Sequence, residues 1–445
     1  MNSVVVFTIL CSLLVIGKFL RVRTPLLQRL YLPSSVIGGL VGLIVLTALG
    51  RQVPTGISDG MRAVPGFLIS VIFAALFLGA KTPKVREVVR LAFPQFCLGQ
   101  IIAWGQYVVG LGLAGFVLAR WFDVPAAFGN LLEIGFEGGH GTVGGMAEAF
   151  VHFKWEEGIA LGYTVATVGM VIGIVLGMAL IQWAHRRGWV KEVRSFDDRS
   201  LAERRGIHAH GKRPSAGRQT VICDSVDSLA WHVSIVGLAV LIGYGLHRCI
   251  PMKGFPLFPL CMIGGVFIEL AAKWFKLKLL VDRVQMERIS GAALDFLVVS
   301  AVATIRLEVV MAHWLPLVLI CFVGAVWTVG CVLLVAPRIF RDAWFERAIA
   351  EFGQATGVTA TGLMLLRTVD PENKTPAAMC FGYKQLLHEP IMGGGLWTAL
   401  ALGFVYRFGW FPVFCLSAIL LAFWLLCAFF LAHSRKVESN DNDEN

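Results

Sequence analysis

The sequence predicts an all-α polytopic membrane protein made of two inverted repeats of about five transmembrane helices, each repeat with a re-entrant hairpin loop. Three observations support this. Of the 445 residues, 57% are hydrophobic and only 15% are charged, against about 25% in a typical soluble domain. The mean hydropathy is +0.72, and about ten apolar runs of roughly 18 residues are long enough to span a bilayer. Two polar, glycine-rich segments interrupt this pattern at matching places in the two halves.

The apolar runs place eleven spans along the chain, with one long polar segment after the fifth. The N-terminal repeat is expected over 1–185 and the C-terminal repeat over 226–433, joined by the loop 186–225. The stretch 376–433 allows one, two or two broken spans. The expected spans are 3–20, 31–49, 64–80, 91–119, 157–185, 226–247, 255–272, 289–305, 308–336, 376–406 and 409–433.

The net charge of +10 orients the chain and indicates no nucleic-acid partner. When the connections are assigned alternately to the two membrane faces, 31 of the 39 Lys and Arg residues fall on one face. By the positive-inside rule this face is cytoplasmic. We therefore expect the N-terminus outside, and the loop 186–225 and the acidic tail 434–445 inside. The outer face carries Arg51, Arg62, Arg120, Lys154, Arg248, Lys253, Arg306 and Arg407.

The first span is expected to remain as a helix, because it lacks the basic start and the small-residue cleavage site of a signal peptide. The ten cysteines are scattered and form no CxxC pair, so we interpret them as apolar packing residues. The sequence has no GxSxG, Walker A or HExxH motif. It therefore predicts neither an enzyme nor an organic cofactor, and any uphill transport would be driven by an ion gradient.

A short motif repeats at the second span of each half. Pro33 and Pro259 are each followed by three residues and then Ile-Gly-Gly, which aligns Gly38 with Gly264. Alone the motif is a weak signal, because paired glycines in membrane helices often serve only close packing. Interrupted helices at matching positions of two inverted halves, however, indicate a secondary transporter with its site near the membrane midplane.

The two polar segments, 126–150 and 351–367, are the candidates for that site. Six of the eleven residues from Gly135 to Gly145 are glycine, and glycine in a helix interior is unfavourable by about 1 kcal/mol relative to alanine. Irregular backbone at membrane depth survives only where protein shields it or water reaches it. Each segment is therefore expected to form a helix–turn–helix hairpin with exposed backbone at its tip, although glycines that only allow close packing are the alternative.

Helix N-termini at such tips suit carboxylates, and carbonyl and hydroxyl oxygens suit a hard cation such as Na⁺. Hydroxyls of this kind belong to Thr142, Thr356, Thr359 and Thr361. An ionisable residue inside a membrane span is by default a candidate functional residue.

Glu137 is interpreted as a partner for a cation or an ammonium group, or as a carboxylate that caps its own hairpin. His140 is a donor to a substrate carboxylate, or a structural histidine. Their Glu-x-x-His spacing matches a di-iron motif, but the glycines between and after them break the regular helix that this motif needs. Asp295, in the apolar run 293–302, is a further candidate cation ligand, and Arg367 either binds a substrate carboxylate or pairs with Asp370.

At these segments the chain resembles the bacterial sodium/glutamate symporter family. The strings that carry the resemblance are "GGHGTVGG" at 138–145, "TGVTATGLMLLRTVDPENKTP" at 356–376 and "FGYKQLL" at 381–387. The resemblance implies a homodimeric, Na⁺-coupled transporter of glutamate or a related dicarboxylate in the bacterial inner membrane, surrounded by lipid, with an elevator-like movement of its hairpin-bearing part. Val358 departs from the small or polar residue expected there.

Taken together, the pattern and the resemblance predict two sets of site residues. The substrate-binding residues are expected to be Gly138, Gly139, His140, Gly141, Thr142, Thr359, Thr361, Gly362 and Arg367. The ion-binding residues are expected to be Glu137, Asp295, Gln354, Thr356 and Gly357. No metal other than transported Na⁺ is expected.

Two other functions stay open at this point. One is an H⁺- or Na⁺-coupled carrier of another organic anion such as a hydroxycarboxylate, for which His140 and Glu137 supply titratable groups. The other is a channel-like or sensor protein, since paired re-entrant loops also occur in channels.

Overall fold

The computed structural model describes residues 2–80, 85–190, 193, 198, 200–208, 213–250 and 254–443. All the regular secondary structure of the described residues is helical. Parts of the predicted connecting loop and the last two residues of the predicted acidic tail lie outside the described residues. In the first half the helices are α1 (Asn2–Arg23), α2 (Pro25–Arg29), α3 (Ser34–Leu49), α4 (Thr55–Ala75), α5 (Val85–Leu113), α6 (Ala119–Trp121), α7 (Leu131–Phe136), α8 (Gly139–Gly145), α9 (Ala147–His152), α10 (Glu157–Arg186) and α11 (Leu201–Arg204).

The second half of the described chain contains ten α-helices. Its helices are α12 (Ser228–Cys249), α13 (Phe258–Trp274), α14 (Arg283–Ala303), α15 (Leu307–Ala312), α16 (Trp314–Gly330), α17 (Ala336–Ile339), α18 (Trp344–Val369), α19 (Ala377–His388), α20 (Leu396–Phe408) and α21 (Trp410–Asp443). The stretch 376–433, left open above, therefore contains three helices, because the predicted span 376–406 is divided between α19 and α20.

The chain divides into two compact units. Unit 1 comprises Met1–Thr82, His140–Tyr163 and Arg199–Arg306, and unit 2 comprises Pro83–Gly139, Thr164–Asp198 and Leu307–Asn445. Each unit thus draws on both halves of the sequence. In unit 1, α1 packs on α3, α12 packs on α13, and α14 lies against both α3 and α4.

The repeated Ile-Gly-Gly motif lies at the closest helix contacts of unit 1. A Cβ atom on Gly38 would lie 2.3 Å from a carbonyl oxygen of α1, and one on Gly264 would lie 2.2 Å from a carbonyl oxygen of α12. The second glycine of each pair faces the other half of the chain: Gly39 meets Val302 of α14, and Gly265 meets Ala74 of α4. The two motifs therefore make equivalent contacts, each allowing backbones to approach where a side chain would not fit.

Unit 2 is organised around the long helix α5. This helix packs against α16, α19 and α21, and Trp327 of α16 donates from its indole nitrogen to the carbonyl oxygen of Ile102 at 3.1 Å. Both α5 and α16 end in a π-helical turn, at Ala114–Leu118 and at Cys331–Val335. Such turns widen the helix by one residue per turn. Here each follows the fourth helix of its half that is at least 16 residues long.

The apolar surface is that of a membrane protein. Among the described residues, seven helices are long and apolar enough to cross a bilayer, and α3 and α20 are shorter apolar helices. Large hydrophobic side chains face outward along the long helices, for example Val15 at 68% exposure, Leu241 at 63% and Phe322 at 63%. A soluble monomer rarely exposes apolar surface on this scale. All ten cysteines are free, and Cys223 and Cys249 are exposed.

Candidate functional site

The second polar segment folds back on itself within unit 2. Helix α18 is broken at Gly357 and Val358, whose backbone angles are not helical. On either side of the break, a Cβ atom on Gly353 would lie 2.6 Å from the Cα atom of Gly362. In a continuous helix these two residues would be about 13.5 Å apart along the axis, at 1.5 Å per residue. The segment is therefore a helical hairpin, and its two arms touch through facing glycines.

The tip of this hairpin is strained. Val358 has φ 64° and ψ 170°, a backbone conformation that is essentially restricted to glycine and costs on the order of 1–3 kcal/mol for other residues. The side chain of Val358 meets the break of the first polar segment, because a Cβ atom on Gly139 would lie 2.5 Å from its Cγ1 atom. Gly139 itself has φ 69°, so glycine is favoured there for two independent reasons.

The first polar segment consists of three short helices. Helix α7 belongs to unit 2, whereas α8 from His140 onward and α9 belong to unit 1. In unit 2, a Cβ atom on Gly169 of α10 would lie 2.6 Å from the ring of Phe136. In unit 1, a Cβ atom on Gly162 of α10 would lie 2.9 Å from Val143. Glycines of α10 therefore make room for both parts of this segment.

Glu137, at the end of α7, is the centre of a buried polar network in unit 2. Its Oε1 atom accepts from the Nε2 atom of His388 at 2.5 Å and from the amide of Gln354 at 2.9 Å. All three side chains are at most 2% exposed. The other carboxylate oxygen, Oε2, has no hydrogen-bond partner among the described residues, which is costly for a buried charged group.

The network continues through Lys384 and Glu351. The Nζ atom of Lys384 donates to Gln354 Oε1 at 3.1 Å and forms an ion pair with Glu351 Oε2 at 2.9 Å, with both side chains fully buried. That ion pair lacks the angles of a hydrogen bond. Glu351 also accepts from the amide of Gln95 at 2.8 Å, and Gln95 accepts in turn from Arg347 Nε at 3.0 Å.

The direction of donation around His388 follows from a neighbouring indole. Trp104 Nε1 can only donate, and it does so to Gln100 Oε1 at 2.9 Å. The amide nitrogen of Gln100 therefore points to His388 Nδ1, at 3.1 Å. Because Nδ1 accepts this bond, it carries no proton, and Nε2 holds the proton that it donates to Glu137. The hydrogen bonds thus describe a neutral imidazole in one defined tautomer.

A second buried carboxylate, Glu133, lies one helical turn before Glu137. It accepts from Tyr107 Oη at 2.7 Å, from Thr398 Oγ1 at 2.7 Å and from the backbone nitrogen of Gly393 at 2.9 Å. These bonds attach α7 to α5 and to the glycine-rich turn before α20. Unlike Glu137, Glu133 has both oxygens satisfied.

The ionisable groups of this site include more carboxylates than positively charged groups. Glu133, Glu137, Glu351 and Lys384 are all buried, and His388 is neutral in the hydrogen-bond pattern above. Arg347 has its own carboxylate, Asp342, at 3.0 Å. In their ionised forms, three carboxylates therefore face one ammonium group. Uncompensated charge in a protein interior is unfavourable by several kcal/mol, so this arrangement favours the uptake of positive charge, as a proton or as a bound cation.

The predicted site residues are distributed over both units. Gly138, Gly139 and Glu137 lie in unit 2 together with every predicted residue of the second segment. The hydroxyl of Thr359 donates to Glu389 at 2.7 Å, and that of Thr361 donates to the carbonyl oxygen of Gly357 at 2.5 Å. The remaining members of this group are Gln354, Thr356, Gly362 and Arg367, of which Arg367 is exposed.

Four predicted residues lie in unit 1 instead. His140, Gly141 and Thr142 begin the part of α8 that belongs to unit 1, and the ring of His140 is stacked on Tyr163 at 6.3 Å. Asp295 is exposed on α14, with the Ser35 hydroxyl as a hydrogen-bond partner.

In the described part of the chain, Asp370 does not pair with Arg367, as was suggested above, but stabilises a turn through backbone hydrogen bonds. Asp370 accepts from the backbone nitrogens of Lys374 at 2.7 Å and of Thr375 at 3.0 Å. This carboxylate therefore closes the connection between α18 and α19.

Sequence reasoning missed Glu133, Glu351, Lys384 and His388. A signal for them existed: Glu133 and Glu137 are four residues apart, as are Lys384 and His388, so each pair lies on one face of a helix. Ionisable residues four apart within apolar sequence indicate a buried polar face.

A multi-pass helical chain that holds charged groups in its interior has the character of a membrane transporter. The family comparison specifies the class: residues 1–369 match the model of the sodium/glutamate symporter family, so the chain belongs to that family. A comparison with curated proteins finds no match. The matched residues include Glu133, Glu137 and Glu351, whereas Lys384 and His388 lie beyond them.

Proposed function

We propose that this protein is a Na⁺-driven symporter of glutamate or a closely related acidic amino acid. The observation that carries the proposal is the buried network of unit 2, in which three carboxylates outnumber one lysine at the base of a broken helical hairpin. Residues 1–369 supply the family evidence for transport. The substrate, the coupling ion and the residues that bind them are the proposed parts.

A cation is expected to bind beside Glu137. The Oε2 atom of Glu137 is a buried carboxylate oxygen without a hydrogen-bond partner in the part of the chain that the structure describes. The first arm of α18 ends close by, since Gln354 donates to Glu137 at 2.9 Å. The carbonyl end of a helix carries partial negative charge, so the carboxylate and the end of this arm, with Thr356 and Gly357, both favour Na⁺.

A substrate carboxylate is expected at the start of the second arm. The arm resumes at Thr359, immediately after the strained Val358, and the first backbone N–H groups of a helix attract anions. Gly362 allows this arm to pack closely against the first arm, because a Cβ atom there would lie 2.4 Å from the carbonyl oxygen of Ala350. The proposed site thus offers oxygen atoms on one arm and N–H groups on the other, and binding of Na⁺ would promote binding of the anion through linkage.

The architecture required for alternating access also belongs to this proposal. The equivalent contacts of Gly38 and Gly264, and the π-helical turns at the ends of α5 and α16, support two inverted repeats. Re-entrant placement of the two segments, an elevator-like movement, a homodimer and an external N-terminus in the bacterial inner membrane are inferred from the charge distribution and from the family resemblance. His140, Gly141, Thr142 and Asp295, which lie in unit 1, stay predictions from the sequence, as does Arg367 at the end of the hairpin.

The decisive experiment is uptake of labelled glutamate by proteoliposomes under an inward Na⁺ gradient. Accumulation against the glutamate gradient is expected, with loss of accumulation when Na⁺ is equal on both sides. Uptake that follows a pH gradient with no Na⁺ present would replace Na⁺ by H⁺ as the coupling ion. Stronger competition by a hydroxycarboxylate than by unlabelled glutamate would reassign the substrate, and downhill conductance without accumulation would indicate a channel.

A further inference from the structure

Unit 1 contains a cavity that is lined in part by charged residues. Its volume is about 310 Å³, and it is lined by residues of α9, of the first halves of α4 and α10, and of the segments just before α10 and just after α14. Cavities of roughly 300 Å³ upward hold small organic ligands. The lining includes two arginines and one glutamate: Arg62, Arg306 and Glu156.

These three charges match the charges of an acidic amino acid. Such a ligand carries two carboxylates and one ammonium group, and the cavity offers two guanidinium groups and one carboxylate. Guanidinium groups bind carboxylates through paired hydrogen bonds. Arg62 is available for this, because its ion pair with Asp59 is 3.5 Å long and both side chains are more than half exposed, a type of pair that contributes little. Arg306 is half-buried.

The cavity borders the GGHGT segment. Tyr163, one of its lining residues, is stacked on the His140 ring with 6.3 Å between ring centroids. A Cβ atom on Gly144 would lie 3.0 Å from the Tyr163 hydroxyl and 2.4 Å from Pro65. Arg62 and Arg306 are also two of only eight basic residues that the charge distribution assigns to the outer face.

We propose that this cavity is an external staging subsite for an acidic amino acid, in which Arg62 and Arg306 bind the two carboxylates and Glu156 binds the ammonium group. The inference rests on the proposed function and specifies its substrate as an amino acid. A plain dicarboxylate has no ammonium group, so the Glu156 carboxylate would lie unpaired beside the negative charges of the ligand, which is unfavourable. The subsite would raise the local concentration of anionic substrate on the outer side.

The test compares Arg62→Gln, Arg306→Gln and Glu156→Gln in the full-length protein, with Arg248→Gln as a matched control on the same predicted face. In proteoliposomes, each cavity arginine variant is expected to raise KM for glutamate about tenfold, the size expected for a lost charge pair. The maximal rate should stay within about twofold, and Arg306→Lys should recover only part of the affinity, because an ammonium group keeps the charge but cannot form the paired hydrogen bonds. Glutarate, which has two carboxylates and no amine, serves as the competing probe. Glu156→Gln should weaken the binding of glutamate and strengthen inhibition by glutarate, because the charge that repels a plain dicarboxylate is removed.

Equilibrium binding of labelled glutamate to the purified protein separates this inference from the proposed function. Weaker binding in both arginine variants supports the subsite even where accumulation in vesicles fails. Unchanged KM and unchanged binding in Arg62→Gln and Arg306→Gln, with normal wild-type uptake, overturn the subsite and leave the symporter intact. Equal effects of Glu156→Gln on glutamate and on glutarate overturn the ammonium assignment. A wild-type protein that neither binds nor accumulates glutamate overturns both proposals.

Discussion

The two glycine-rich segments have similar composition but continue differently beyond their breaks. In the second segment, Gly353 and Gly362 bring the two arms into contact, so the chain folds back within unit 2. In the first, the chain leaves unit 2 between Gly139 and His140 and continues in unit 1. Glycine content therefore predicts where a membrane helix breaks, while the partner of each glycine decides where the chain goes next.

The glycines of the two segments face different partners. In the second segment they face the opposite arm of the same hairpin. In the first, a Cβ atom on Gly141 would meet Ile69, one on Gly144 would meet Pro65, and one on Gly145 would meet Phe258. Those partners belong to α4 and α13 of unit 1. The first segment thus uses its glycines to pack against other helices.

The largest effect is expected from Glu137, the residue by which the first segment enters the network of unit 2. Glu137→Gln keeps the size of the side chain and removes its charge, so the preference for a cation is reduced. We expect Na⁺-dependent glutamate accumulation to fall about 100-fold or more, since losing the carboxylate that would pair with a buried Na⁺ is expected to cost about 3–5 kcal/mol. Proteoliposome uptake measures this. Glu372→Gln, which alters an exposed pair, should transport normally, and wild-type uptake by Glu137→Gln would remove Glu137 from the ion site.

The next largest effect tests the fold-back of the second segment. Gly362→Ala places a methyl group 2.4 Å from the carbonyl oxygen of Ala350, so the arms must separate. A destabilisation of about 3 kcal/mol is expected for such overpacking, measured by thermal unfolding in detergent. Gly382→Ala is the matched control, because a Cβ atom there meets nothing within 4 Å. Equal stability of the two variants would contradict the hairpin contact.

A third change tests the contact between the breaks of the two segments. Gly139→Ala combines an unfavourable φ of 69° with a collision against Val358 Cγ1, and should cost about 2 kcal/mol. Val358→Gly in the same chain removes the collision and should restore part of the stability, with a coupling energy of about 1 kcal/mol. Purely additive unfolding free energies would show that the two residues do not touch.

The smallest effect is expected from Val358→Gly alone. Glycine relieves the strain of a residue at φ 64°, about 1–3 kcal/mol, and opposes this gain with about 0.5–1 kcal/mol of chain entropy. A net increase of about 1 kcal/mol in unfolding free energy, or about 2 °C in Tm, is the expected result of a calorimetric or fluorescence scan. A decrease in Tm would mean that the packing of the valine side chain outweighs its backbone strain.

The sequence predicted the features that depend on composition and period. Membrane spans, both breaks and the family followed from apolar runs and from the strings at 138–145 and 356–376. Lys384 and His388 were not predicted as site residues, because a hydropathy average over 376–406 hides two polar residues among many apolar ones. The assignment of α8 from His140 onward to unit 1 also escaped, since it depends on contacts with α4 and α13 that are distant in sequence.

The glutamine side chains of the buried network have a consequence for proton movement. Gln354 stands between Glu137 and Lys384, and Gln100 donates to the outer nitrogen of His388. A hydroxyl group or a water molecule can accept one proton and release another, whereas an amide nitrogen only donates and an amide oxygen only accepts. The amide of Gln354 therefore holds Glu137 and Lys384 at fixed positions without conducting protons between these two groups.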